Sequence, residues 1–252
     1  MKNTLGVIPA RMASSRFPGK PLKKILNIPM LAHCYERALL SGVCDNLVIA
    51  TPDQEIIDWA TQFEIPSVLT SHSHKRATER AKETLDTLTN DGLHYDLVLL
   101  LQGDEPQIFP EDIGNLKQAF SNNELEVVNL VFPLSDDGLE DPNVVKVALD
   151  KNLTIHFFSR SHIPHDCISG YRQLGMIGLT KKALNNYVSL PPTSLEEVES
   201  IDMMRLIEND FSIQGVLSTS PILGVDTQQD LKKVEKIMTN DKFVNLYKEK
   251  YI

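Results

Sequence analysis

The stretch from Leu5 to Leu22, an apolar run that opens into a basic loop stiffened by glycine and proline, most constrains what this chain can fold into. Leu5 to Ile8 reads as a buried first strand. The loop behind it holds Arg11, Arg16, Lys20, Ser14, Ser15 and Gly19, with Pro18 and Pro21. Helical periodicity resumes at Met30. A strand feeding such a loop is where an α/β sheet places a polyanion, because backbone N–H groups and a lysine can face phosphate oxygens there. The string is neither GxxxxGK[ST] nor GxGxxG. Two readings stand at this point: a basic surface turn, or a phosphate-binding loop of another kind.

The same rhythm continues downstream. Pro29 to Ser41 is expected to be helical, with Leu31, Cys34, Tyr35, Ala38 and Leu39 at inward spacing and Gly42 as the stop. Leu47 to Ala50 reads as a second strand, and Asp53 as the cap of a helix reaching about Phe63. Ser67 to Leu69 is a third strand, a helix follows from about Thr78 to Leu88, and Leu97 to Leu101 is the most apolar strand of all. This βαβαβ order predicts an α/β fold, a mostly parallel, Rossmann-like sheet with helices on both faces and ligands at the carboxyl ends of its strands. Ser71 to Arg80 and Gln102 to Pro106 then lie at that edge. His72 and His74 have no third ligand nearby and read as polar loop residues. Asp104, at the tip of a central strand, suits a Mg²⁺ ion bridging to phosphate, or caps the turn that follows.

From Val127 the texture changes. Val127 to Phe132, Val144 to Leu149 and Thr154 to Phe158 read as strands, with Asp150-Lys151-Asn152 as a hairpin turn and Tyr171 to Leu179 as a returning strand. This predicts a small antiparallel insertion, about residues 130–180, in a single domain spanning 1–252, serving acceptor binding, dimerisation or both. A helix is expected to start with Ser194 and Glu197 as a capping box and to run to about Asn209. Glu196, Glu199 and Asp202 then share one side of it, as a solvated acidic face also would. Ile213 to Leu217 is the last strand, and Asp226 or Thr227 caps the helix after it.

A net charge of −9 argues against a general affinity for nucleic acid or an anionic membrane, so an anionic substrate needs a local basic site. No apolar run approaches the ~20 residues of a membrane span. Lys2 leads straight into a strand with no signal-like segment, and the three scattered cysteines lack CxxC spacing. Both features predict a cytoplasmic protein with reduced thiols and no zinc site.

Five segments in order carry a resemblance: IPARMASSRFPGKPL, ATER, LQGDEP, NVVKVALD with FFSRSHIP, and GVDTQQDL. Together they are similar to the CMP-sugar synthetases of the nucleotidyltransferase family, closest to 3-deoxy-manno-octulosonate (Kdo) cytidylyltransferases. The resemblance implies transfer of CMP from CTP to the anomeric hydroxyl of a 2-keto-3-deoxy sugar acid, with release of pyrophosphate. It implies that Ala10, Arg11, Ser14, Lys20, Arg80 and Gln102 border the nucleotide, and that Asp104 and Asp226 hold Mg²⁺ and share catalysis with Lys20. Arg160 would meet the acid's carboxylate. Gln173, Glu196, Glu199 and Asp202 would complete the acceptor side with Lys75 and Arg76. A homodimer is expected. Lys75, Arg76, Gln173 and Asp202 depart from the family pattern, which keeps a different acidic acceptor open. A related glycosyltransferase would carry an Asp-x-Asp motif, which Gly103-Asp104-Glu105-Pro106 lacks. A non-catalytic nucleotide sensor would have no need of Lys20, Asp104 and Asp226, all of which are present.

Overall fold

The computed structural model describes residues 2–13 and 16–251, with backbone alone at Asp136 and Asp137. Where one domain was expected, the chain divides into two compact units, 1–114 with 222–252, and 115–221. The second is a contiguous stretch that the chain enters and leaves once.

The first unit is built on a parallel sheet. Strand β1 (Thr4–Pro9) is followed by a two-residue hairpin, β2 (Lys24–Ile25) and β3 (Ile28–Pro29), and then helix α1 (Met30–Leu40). Next come β4 (Asn46–Thr51), α2 (Gln54–Gln62), β5 (Ser67–Leu69), α3 (Ala77–Asn90) and β6 (Leu97–Leu101). Helix α4 (Pro110–Ala119) spans the passage to the second unit. Within this sheet the order is β5-β4-β1-β6 and every pairing is parallel, with Val7 opposite Val48 on one side and Leu100 on the other. All five side chains of β6 are buried, the continuous apolar run that a parallel strand covered on both faces requires.

Helix α1 is buried nearly all round, including His33, Glu36 and Arg37. The reason is the C-terminal segment, which supplies polar partners to each. His33 Nδ1 meets the Tyr247 hydroxyl at 2.8 Å, Arg37 pairs with Asp241 at 2.5 Å, and Glu36 accepts from Lys250 at 2.9 Å and Tyr251 at 2.6 Å. Burial pushes the His33 imidazole down to about 4, so it sits there neutral. Leu39, expected inward, is half exposed. Gly42 does end the segment in a left-handed turn, at φ 64°.

The second unit carries β7 (Val127–Ser135), α5 (Asp136–Leu139), β8 (Lys146–Leu149), β9 (Thr154–Ser159), β10 (Ser169–Thr180), α6 (Lys181–Ser189), α7 (Ser194–Glu199), α8 (Met203–Ile207) and β11 (Ile213–Leu217). Its sheet is mixed. β10 runs antiparallel to β7, β7 parallel to β11, and β11, β9 and β8 continue antiparallel, with β8 also meeting β10. The single helix expected from residue 194 is two. Ser200 adopts a left-handed φ of 57° and breaks it. The cap is also one residue earlier than read: Thr193 is the N-cap and Glu196 the third helical residue. The chain then returns to the first unit through α9 (Gln228–Met238), where Thr227 and Asp230 form a capping box.

Candidate active site

The loop after β1 leaves the sheet at its carboxyl edge. Ala10 N prolongs the pairing by donating to Ala50 O at 3.0 Å. Gly19 N donates to Met12 O at 3.0 Å, closing the loop on itself, and Gly19 takes φ 71°, a left-handed conformation that glycine adopts without strain. Lys20 opens the short turn that follows. Its ammonium reaches Asp104 at 2.8 Å and Asp226 at 3.1 Å. Asp104 stands just past β6, and its carbonyl accepts from Val225 N at 2.9 Å, which fixes Asp226 beside it. Gly103 lets β6 end this close to β1: a Cβ there would lie 2.9 Å from Pro9 O and 3.2 Å from Leu31 Cδ1.

These groups border a cleft of about 320 Å³. Arg11, Arg16, Lys20, Lys75, Arg76 and Arg80 line it, together with Ala10, Gln102, Asp104 and Asp226. Six cationic side chains thus face two carboxylates. Burial alone would lower the Lys20 ammonium, but Asp104 and Asp226 outweigh it and raise it above its ordinary value, so the lysine stays charged. Arg16 also reaches Asp226, at 3.2 Å. Arg80 is held by Thr70 Oγ1 and by Ser71 O at 3.2 Å. Burial, and then the charge of Arg11, pull its guanidinium below the usual value. Two carboxylates converging on a cation are oxygen donors of the kind Mg²⁺ takes when phosphates complete its shell. No three His, Cys, Asp or Glu side chains among the described residues form a ready metal cage. His74 instead meets Glu83 at 2.5 Å, in keeping with a polar loop role.

Every expected nucleotide residue except Ser14, which lies outside the described residues, lines this cleft. Lys75 and Arg76, expected on the acceptor side, line it too. The remaining acceptor candidates all belong to the second unit, and several have structural partners. Glu196 is fully buried. It takes two hydrogen bonds from Arg205, at 2.7 and 2.8 Å, and one from the Tyr187 hydroxyl at 3.1 Å. That corrects its reading as an acceptor contact: both oxygens serve a buried ion pair. Glu199 accepts from Ser159 Oγ and from Arg160 N, each at 2.8 Å. Arg160 Nε donates to the Glu199 carbonyl at 2.8 Å and Nη1 to Pro142 O at 3.1 Å, so the guanidinium is held in place. Gln173 donates to Asn129 Oδ1 at 2.6 Å, next to an irregularity in β10. Asp202 occupies the N-cap position of α8.

Sequence reasoning missed two features. Asp53 takes the N-cap position of α2 as read, but its side chain bonds the backbone of the loop after β1, accepting from Met12 N at 2.7 Å. Lys146 is fully buried, its ammonium donating to Asp141 O, Val144 O and Arg160 O at 2.7, 3.0 and 2.7 Å. A lysine inside an alternating strand was the only local signal for the second.

A family model described as cytidylyltransferase matches residues 5–216. The 3-deoxy-manno-octulosonate cytidylyltransferase of Thermodesulfovibrio yellowstonii is 37% identical over 249 residues, covering 93% of this chain and 98% of that one. Its namesake from Acidobacterium capsulatum is 35% identical over 245 residues, covering 95% and 98%. A solved structure of CMP:2-keto-3-deoxy-manno-octonic acid synthetase complexed with CTP aligns at TM-score 0.85 and 32% identity, covering 95% of this chain and 99% of that one. A Bacillus anthracis structure at 18% identity and TM-score 0.71 shares the fold.

Proposed function

The chain belongs to the cytidylyltransferase family, and from that premise we propose that it transfers CMP from CTP to the anomeric hydroxyl of a 2-keto-3-deoxy sugar acid, Kdo or a close relative. The observation that carries this is the Lys20 ammonium held between Asp104 and Asp226 in a cleft lined by five further cations. In the reaction the anomeric oxygen bonds to the α-phosphorus, the bond from that phosphorus to the β-phosphate oxygen breaks, and pyrophosphate departs. Negative charge grows on the phosphoryl oxygens and on the leaving group, so positioning and cationic stabilisation do most of the work. Lys20 is placed to meet that charge, and Arg11 and Arg16 to hold the polyphosphate. Asp104 and Asp226 would hold Mg²⁺, which when bound neutralises phosphate charge. The hydroxyl proton passes to solvent, and no covalent nucleophile is needed. Arg160 is the proposed anchor for the acceptor's carboxylate. A homodimer in the cytoplasm, supplying lipopolysaccharide synthesis, extends the same reading.

The test is product identity. Kdo and Mg²⁺ are incubated with each of the four nucleoside triphosphates, and the mixture is analysed by mass spectrometry. The CMP adduct of Kdo should form with CTP and at most weakly with the others. CTP binding without any adduct, across Kdo and related acids, would instead identify a nucleotide-sensing module.

A further inference from the structure

Asp53 follows β4 and occupies the N-cap position of α2, where an aspartate ordinarily accepts from the first turn of its own helix. Its side chain makes no such bond. Oδ2 accepts instead from the Met12 backbone N–H at 2.7 Å, 41 residues back along the chain. The bond is one link in a sequence of fixed groups. Met12 O accepts from Gly19 N at 3.0 Å, Gly19 turns the chain through its left-handed φ, and Lys20 N donates to Phe17 O at 3.2 Å. Lys20 then extends to Asp104 and Asp226. Asp53 therefore holds the entry of the phosphate loop, which is tied to the exit from which Lys20 projects. It is half-buried and does not line the cleft, so it acts through other residues. A capping side chain diverted from its own helix is a local rule broken, and such breaks concentrate at functional sites.

We propose that Asp53 is a positioning residue for cytidylyl transfer, its carboxylate holding the Met12 amide and so setting where Lys20 is presented; the role rests on the activity proposed above. Two other roles are distinguishable from it. Asp53 also offsets charge near Arg80, and it could simply stabilise the fold. Asp53→Asn keeps an acceptor oxygen and removes the charge, whereas Asp53→Ala removes both.

The experiment measures kcat and KM for CTP in both variants, in Lys20→Ala and in the Asp53→Ala/Lys20→Ala pair. Amide exchange at Met12 and Gly19 is followed by NMR in the wild type and the two Asp53 variants. Asp53→Ala should lower kcat on the order of 100-fold, as small misplacements of a catalytic group do. Asp53→Asn should stay within about threefold of wild type, and the pair should be no worse than Lys20→Ala alone, since residues acting as a unit are not additive. Met12 exchange should accelerate in Asp53→Ala only, with the amides of β4 and α2 unchanged. Equal losses in Asn and Ala would assign the effect to charge and overturn the proposal, as would multiplicative losses in the pair or slow Met12 exchange in Asp53→Ala. A wild type that transfers nothing sinks the activity reading, and the exchange rates then still decide whether Asp53 holds the loop.

Discussion

In the first unit the Lys20 side chain is 12% exposed and faces two carboxylates that are themselves about a third open, at the border of a cleft. In the second, Arg205 and Glu196 are 3% and 1% exposed, and their partners include each other, the Tyr187 ring and hydroxyl, and backbone groups. Both are ion pairs of good geometry with opposite consequences. The open set can exchange its internal contacts for those of a polyphosphate. The closed set cannot, because separating it would break a charge pair that is shut away from water. Exposure, more than charge or spacing, distinguishes a group available to substrate from one that holds the fold.

The largest expected effect tests the open set. Asp104→Asn and Asp226→Asn should each reduce kcat by on the order of 10³-fold, a loss of several kcal/mol of electrostatic stabilisation, with thermal unfolding close to wild type. Chelation of divalent ions should do the same to the wild type, and Mg²⁺ should restore it. Near-wild-type kcat in either variant at saturating Mg²⁺ would remove that residue from the proposed metal site.

Next is the closed set. Glu196→Gln removes the carboxylate charge that pairs with the buried Arg205 guanidinium and should cost about 3 kcal/mol of stability, seen as a lower midpoint in denaturant. Per folded molecule, kcat should be unchanged. Burial alone would raise the Glu196 carboxyl, but the hydrogen bonds and charge of Arg205 outweigh burial and hold it below its ordinary range. A depressed folded value means that the pair's contribution is present above the unfolded carboxylate's pKa, near ~4.3, and is lost as pH falls through the folded one. Unfolding measured across that interval should therefore be steeper with pH in the wild type than in Glu196→Gln.

How far the sequence reached follows the same division. Lys20 and Asp104 could be placed at the open edge from the sequence because one follows a constrained turn and the other an apolar strand, whereas Asp226 read locally as a helix cap and was brought to the site by the family resemblance alone. Glu196 was misjudged because its i, i+3 spacing looks the same on a solvated face as in a buried pair. Its partner Arg205 lies across a helix break at Ser200 that nothing in the local pattern signals. Asp53 looked like a cap because capping is its commonest local use, and the Met12 amide it holds is remote in sequence. Leu39 fits the helical period yet is exposed, while His33 and Arg37 are buried under a C-terminal segment that periodicity within α1 cannot reveal.

Within the open set, Lys20→Ala should lower kcat by about 100-fold, the usual loss of one preorganised donor. Arg16→Ala should lose less, since the Arg16 side chain is half exposed, whereas Lys20 is 12% exposed and bridges Asp104 and Asp226. Equal losses would mean that the phosphate contact has been assigned to the wrong residue. The smallest effect concerns Lys75 and Arg76. Lys75→Gln with Arg76→Ser should raise KM for CTP about five- to tenfold, each such charge contributing up to roughly 1 kcal/mol, and the gap should narrow with added salt. A rise in KM for the sugar acid instead would return both residues to the acceptor side.

The most direct measurement is the initial rate of pyrophosphate release from CTP with and without Kdo, in the wild type and in Asp104→Asn. A cytidylyltransferase working from this cleft should release pyrophosphate only when both substrates are present, and the variant should release almost none. Release that is independent of the sugar acid, or undiminished in Asp104→Asn, would contradict it.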